Sequence, residues 1–223
     1  MTESLASRDQ SHMQIVLDRY ADRENIGVLQ TDTDLLFQRY LSKAMTLEEI
    51  KGKRVLELGA GCSQYIPLFL NAGCSAYYGN DIIPERLAKT RVADPRYHEI
   101  PGDFLTITLP EPVDISFASL TMMCVKPYFP QFAARIYDSL KPGGMFLSME
   151  ANYFCPVNIY RNWKIKGANP VRAFSPYSYA NIFRKAGFEI ELMLPFSGPY
   201  PWTTGLWPVG TAFWMRARKP LEG

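Results

Sequence analysis

Three acids and a pair of glycines in the first half of the chain are spaced so that they could hold a cationic ligand. Glu57 stands two residues before Gly59, and Ala60 separates Gly59 from Gly61. Val55 to Leu58 is a short apolar run of the kind expected for a buried parallel strand. Alternate glycines let the backbone turn sharply and let a ligand approach it closely. Ser63 to Leu70 then offers a helix start, so the unit reads strand, glycine turn, helix, the cradle that α/β proteins use for nucleotides. A carboxylate at the strand tip would repel a pyrophosphate. It would attract an amino group or a sulfonium, directly or through water. Gln64 stands where the dinucleotide fingerprint has its third glycine, which also argues against NAD.

The next acid falls where a ribose would need it. Ser75 to Asn80 reads as a second strand closed by Asp81 and Ile82. Asp81 lies about 22 residues after Gly59, near the spacing of ~20 at which an acid meets a ribose. One carboxylate can accept from both ribose hydroxyls. The competing reading is a helix N-cap before Pro84, and both can hold at once. Tyr97 to Ile100 reads as a third strand, followed by Asp103 and Phe104. Read on its own, Gly102-Asp103-Phe104 is a plain turn. Asp114 to Ser119 is a fourth strand. Its tip, Ser119 to Thr121, should lie nearest the reacting atom, since ligands sit at the carboxyl ends of strands in open sheets.

The run Glu57-x-Gly59-Ala60-Gly61 resembles motif I of the class I S-adenosylmethionine (SAM)-dependent methyltransferases, and the likeness covers about residues 53 to 218. It implies a Rossmann-like α/β fold: seven mostly parallel strands in the order 3-2-1-4-5-7-6, helices on both faces, and an antiparallel last strand. We expect that strand, Val209 to Ala217, at the sheet edge. Residues 51–223 would form this domain. Residues 1–50 would form an N-terminal helical extension, either a lid over the SAM pocket or a cover for one sheet face. By the same resemblance, Glu57, Gly59, Ala60 and Gly61 hold the amino acid end of SAM. Asp81 and Ile82 hold the ribose, Asp103 and Phe104 the adenine, and Ser119 lies near the methyl. Thr121, Tyr153 and Tyr20 are candidates for the acceptor. His12 (as a base), Tyr20 (against the sulfonium or acceptor) and Glu150 (facing the acceptor) are weak catalytic candidates, with solvated or structural roles as the alternative for each, and no residue declares itself as the base. The product would be S-adenosyl-L-homocysteine, and the acceptor atom an oxygen or nitrogen of a small molecule of secondary-metabolite or sugar type.

The remaining elements fit this frame. Ile83 to Val92 reads as a helix, and so does Phe129 to Leu140, stopped by Lys141-Pro142-Gly143-Gly144 before a fifth strand, Met145 to Met149. No Asn/Asp-Pro-Pro-aromatic run follows strand four, and Cys155-Pro156 has the wrong order for pyrimidine C5 chemistry. Residues 154 to 174 combine aromatics with Arg161, Lys164, Lys166 and Arg172, as an acceptor-recognition loop would. Ser175-Pro176 caps a clear helix that stops at Gly187.

Composition bounds the alternatives. A chain of 223 residues has room for one full core. A net charge of +2 gives no reason to expect a nucleic-acid partner. Four cysteines without a C-x-x-C pair suggest neither zinc nor disulfides, and reduced thiols fit a cytoplasmic location. We expect no metal, no signal peptide and no membrane span, since Val113 to Val125 is shorter than the ~18 residues a span requires. The aromatic stretch Pro195 to Trp207 serves either an acceptor pocket or an interface, with a homodimer possible. Two other functions remain open at this point: a non-catalytic partner subunit on the same fold, and a nucleotide-binding oxidoreductase.

Overall fold

The most apolar strands become the centre of the sheet. In the computed structural model, which describes residues 32–90, 92–164, 174–197, 202, 204–207 and 209–221, β1 (Arg54–Leu58) lies between β2 (Ala76–Asp81) and β4 (Val113–Ser119). Beyond them come β3 (Tyr97–Pro101), β5 (Leu140–Ala151), β6 (Glu189–Phe196) and β7 (Ala212–Arg218). The order is β3-β2-β1-β4-β5-β7-β6. The five strands from β3 to β5 are parallel, and β7 runs antiparallel to both β5 and β6. The strand order and the antiparallel last strand are as the resemblance implies; the separate expectation of an edge position for that strand does not hold. β7 lies between β5 and β6, hydrogen-bonded on both edges, and its buried Phe213 and Trp214 enter the two opposite core layers. β6 takes the edge instead, with a half-exposed alternation that tolerates it.

Side-chain parity along the strands splits the core in two. Val55, Tyr77, Phe117, Leu147 and Trp214 pack on one face beneath α1 (Thr33–Arg39) and α2 (Tyr65–Asn71). Leu56, Tyr78, Phe146 and Phe213 pack on the other beneath α4 (Phe129–Ser139) and α6 (Pro176–Lys185). On that face Phe129, Tyr179 and Phe183 join in edge and tilted ring contacts.

Helix ends and turns follow local side-chain chemistry. Asp32 is the N-cap of α1, its carboxylate accepting from the Asp34 and Leu35 amides. Thr46 and Glu49 hydrogen-bond reciprocally in the turn before β1, the geometry of a capping box. Gly187 stops α6 at φ +101°. Leu36, Leu41, Met45 and Ile50 share one cluster with Val55 and Trp214, so residues 32–50 cover a sheet face. Arg216 ties them down, reaching Glu49 at 2.7 Å and the Ala44 carbonyl at 3.3 Å.

Other boundaries moved. α3 (Pro84–Ala88) is a single turn rather than a helix reaching Val92. β5 begins at Leu140, because Lys141 to Gly144 is already extended alongside Lys219. Within the expected loop 154–174, Pro156–Lys164 forms a helix, α5.

Candidate functional site

The carboxyl ends of β1, β2 and β3 bring the glycine turn and two of the acids into adjoining positions. Gly59 and Gly61 take φ +66° and +48°, the left-handed region that favours glycine. The space over each is filled. A Cβ on Gly59 would lie 2.5 Å from the Thr121 side chain, and one on Gly61 would lie 2.7 Å from the Arg86 guanidinium. The turn is pinned by the Ala60 amide, which donates to the Asn80 carbonyl at 2.8 Å. Asn80 then donates its own amide to the carbonyls of Ile100 and Gly102, at 2.8 and 2.9 Å. One buried asparagine thus fixes the tips of three strands relative to one another. Sequence reasoning passed over it because it sits one place before the conspicuous Asp81.

Parity sends Glu57 to the α2 face, where it is buried. Ser63 donates to its Oε1 at 2.7 Å and the Tyr77 hydroxyl donates to its Oε2. Burial pushes this carboxyl up to about 8, against the pull of those two hydroxyls, and the nearby Asp81 raises it further. Glu57 therefore braces the turn from beneath; it does not present an open carboxylate at the strand tip. Neither hydroxyl partner was foreseen. Ser63 is the first residue after Cys62 in the turn, and Tyr77 belongs to the next strand, at a distance only the register reveals.

Asp81 is also buried. Its Oδ1 accepts from the Ile83 amide at 2.9 Å, and its Oδ2 lies 3.9 Å from Arg86. Burial raises its pKa, opposed by the Ile83 amide and Arg86. The N-cap position of α3 falls to Ile83 rather than Asp81. Ile82 is half-buried beside it. A ligand on this turn has to displace Arg86, which the far end of a flexible side chain allows. Asp103 accepts from the Leu105 amide at 3.0 Å and is half-buried at the end of β3. The Phe104 ring belongs to the core, 5.7 Å from Phe132 and 5.9 Å from the Arg135 guanidinium, so only its backbone can face a ligand.

The tip of β4 is conformationally unusual. Leu120 has φ +55° and is 45% exposed, although its amide is held by the Met149 carbonyl at 2.8 Å. A leucine in the left-handed region marks local strain, often found where a chain is shaped for binding. Ser119 and Thr121 flank it, both half-buried, and the Thr121 hydroxyl donates to the Ser119 carbonyl at 3.2 Å. Glu150 is placed otherwise than a strand-tip reading suggests. It is fully buried on the α6 face, with Oε1 accepting from the Met122 amide at 3.0 Å and Oε2 without a partner among the described residues. Burial pushes it up to about 8, against the amides of Met122, Met123 and Thr121. It holds the start of the loop whose Thr121 side chain covers Gly59. Tyr153 is exposed, edge-on to Phe154. His12 and Tyr20 lie outside the described residues.

Comparisons with known proteins give the family and the fold. A family model described as a methyltransferase domain matches residues 29–192. No curated protein matches the sequence. Solved structures do match the fold. An S-adenosylmethionine-dependent methyltransferase from Mesorhizobium loti is 20% identical with a TM-score of 0.65, covering 86% of this chain and 100% of that one. The N-methyltransferase NodS from Bradyrhizobium japonicum, in complex with S-adenosyl-L-homocysteine, is 14% identical with a TM-score of 0.63, covering 92% and 97%. Human N-acetylserotonin methyltransferase, in complex with SAM, is 16% identical with a TM-score of 0.60, covering 85% of this chain and 52% of that one.

Proposed function

Because this chain belongs to the methyltransferase-domain family, we propose that it moves a methyl group from S-adenosyl-L-methionine to an oxygen or nitrogen of a small-molecule acceptor. Methyl transfer and the cofactor follow from the family and from a fold shared with SAM- and S-adenosyl-L-homocysteine-bound methyltransferases. The nicotinamide alternative loses its support there.

One observation carries the placement of the cofactor: the left-handed Gly59–Gly61 turn adjoins two buried acids, Glu57 and Asp81, with Asp103 at the next strand end. Glu57 shapes the turn from beneath, and the acids of Asp81 and Asp103 at the strand ends suit hydroxyl and amine donors and disfavour a pyrophosphate. When bound, SAM supplies a methyl group already activated by its positive sulfur. The chain's contribution is then alignment. Glu57 braces the turn through Ser63, and the turn backbone holds the amino acid end. Asp81 accepts the ribose hydroxyls once Arg86 yields. Asp103 and the Phe104 backbone face the adenine. Ser119, Leu120 and Thr121 present the tip at which the acceptor meets the methyl, with Tyr153 beside it.

Calorimetry with SAM tests this reading. Parent protein should bind. Asp81→Ala should weaken binding by about 10- to 100-fold, as expected for charge-assisted hydrogen bonds worth ~1.5–3 kcal/mol. No binding at millimolar SAM, or binding untouched by the substitution, would overturn it. A panel of hydroxyl and amine acceptors, read out as S-adenosyl-L-homocysteine release, then identifies the acceptor.

A further inference from the structure

We infer that the exposed aromatic face built on α5 docks on an anionic lipid surface. The inference is independent of the methyltransferase reading and stands on two observations, one of shape and one of charge.

The shape is wrong for an ordinary solvated helix. On nine-residue α5, Ile159, Tyr160 and Trp163 are 44%, 55% and 64% exposed, while Asn158 is turned inward to the carbonyls of Asn152 and Thr211. Surface helices place polar groups outward and apolar ones inward, and here the order is reversed. The aromatic surface continues past the helix. Phe154 meets Tyr177 at 5.9 Å, and Tyr177, itself 70% exposed, stacks on Trp207 at 6.3 Å. These rings project outward, whereas a small-molecule site is concave.

The charge selects the partner. From Ala151 through Phe188 the chain holds no Asp or Glu but six Lys or Arg. Residues 151–223 carry nine basic against three acidic side chains, residues 1–150 fifteen against nineteen. The charge of a nearly neutral chain is thus polarised along its sequence, and the basic part is the one that carries the exposed rings Tyr153, Phe154, Tyr160, Trp163 and Tyr177. Lys164 lies 5.8 Å from the exposed Tyr160 ring. Trp and Tyr sitting at headgroup depth, with Lys stems reaching past them to phosphates, satisfy both features together. A second copy of the chain does not. A two-fold contact would press this positive face against itself, and like charge disfavours that. Tyr153 and Phe154 follow β5 directly, so the face adjoins the strand ends where the site lies.

Co-sedimentation of the full chain with vesicles tests this. Phosphatidylcholine alone is compared with phosphatidylcholine containing phosphatidylglycerol, at low and high salt. Binding should require the anionic lipid and should weaken as salt screens the attraction. The double substitution Ile159→Asp and Trp163→Asp should reduce the bound fraction about tenfold or more, with an unchanged melting curve because both positions are exposed. Lys164→Glu should reduce it less. Equal recovery with both vesicles, no recovery with either, or retention of binding by the double variant would each overturn the inference. So would light scattering that shows a dimer dissolved by the same double substitution, which would assign the face to self-association.

Discussion

Glu150 offers a measurement whose sign the structure fixes. Its carboxyl is buried on the α6 face, caps the Met122 amide through one oxygen, and leaves the other without a partner among the described residues. Burial pushes its pKa from an ordinary 4.5 up to about 8. A raised carboxyl pKa means that the folded state keeps a proton the unfolded state has lost. The associated stability is complete below pH 4.5, falls as pH rises toward 8, and is flat above. One group costs about 1.4 kcal/mol per pH unit across that window, so from pH 5 to pH 8 the fall is at most ~4 kcal/mol. Glu150→Gln keeps the acceptor oxygen for Met122 and removes the titration. Urea unfolding of parent and variant at pH 5, 6, 7 and 8 should give similar stabilities at pH 5. The curves should then diverge until the glutamine variant is more stable by on the order of 3 kcal/mol at pH 8. Glu57, which is raised in the same direction, is present in both proteins and cancels in the difference. A gap that stays constant across the series would refute the argument, because it would mean that Glu150 is ionised in the fold.

Three further outcomes follow from the same structure. Gly59→Ala places a Cβ 2.5 Å from Thr121 at φ +66°, and should lose about 2–4 kcal/mol in urea unfolding together with SAM binding by calorimetry; adding Thr121→Gly should recover the steric share only. Tyr77→Phe removes a hydroxyl that holds the Glu57 carboxyl down, so the pH dependence of SAM affinity should move to higher pH in titrations between pH 7 and 9; an unmoved profile would separate Glu57 from cofactor binding. Trp214→Ala empties a fully buried site stacked on Phe196 at 5.8 Å, and should cost ~3–5 kcal/mol in thermal or urea unfolding, with cofactor affinity per folded molecule retained.

Much was legible before any coordinates, for a physical reason. Apolar strands, glycines that need left-handed backbone, and acids at strand ends are local requirements, so Val55–Leu58, Gly59, Gly61, Asp81 and Asp103 declare themselves along the chain. Asp32 at a helix start and Gly187 at a helix end are local in the same sense. What sequence could not supply depends on register and parity. Glu57 and Glu150 look alike as acids at the ends of central strands, yet the alternation of side chains sends one to the α2 face and the other to the α6 face, each into its own set of hydrogen bonds. Tyr77 meets Glu57, and Asn80 spans three strand tips, only because parallel strands pair residue by residue. The strand order implied by the resemblance already sets the last strand between β5 and β6, and residue-by-residue pairing on both its edges is what the structure adds. Composition along the chain specified the parts and their order; pairing across the sheet decided which of them touch.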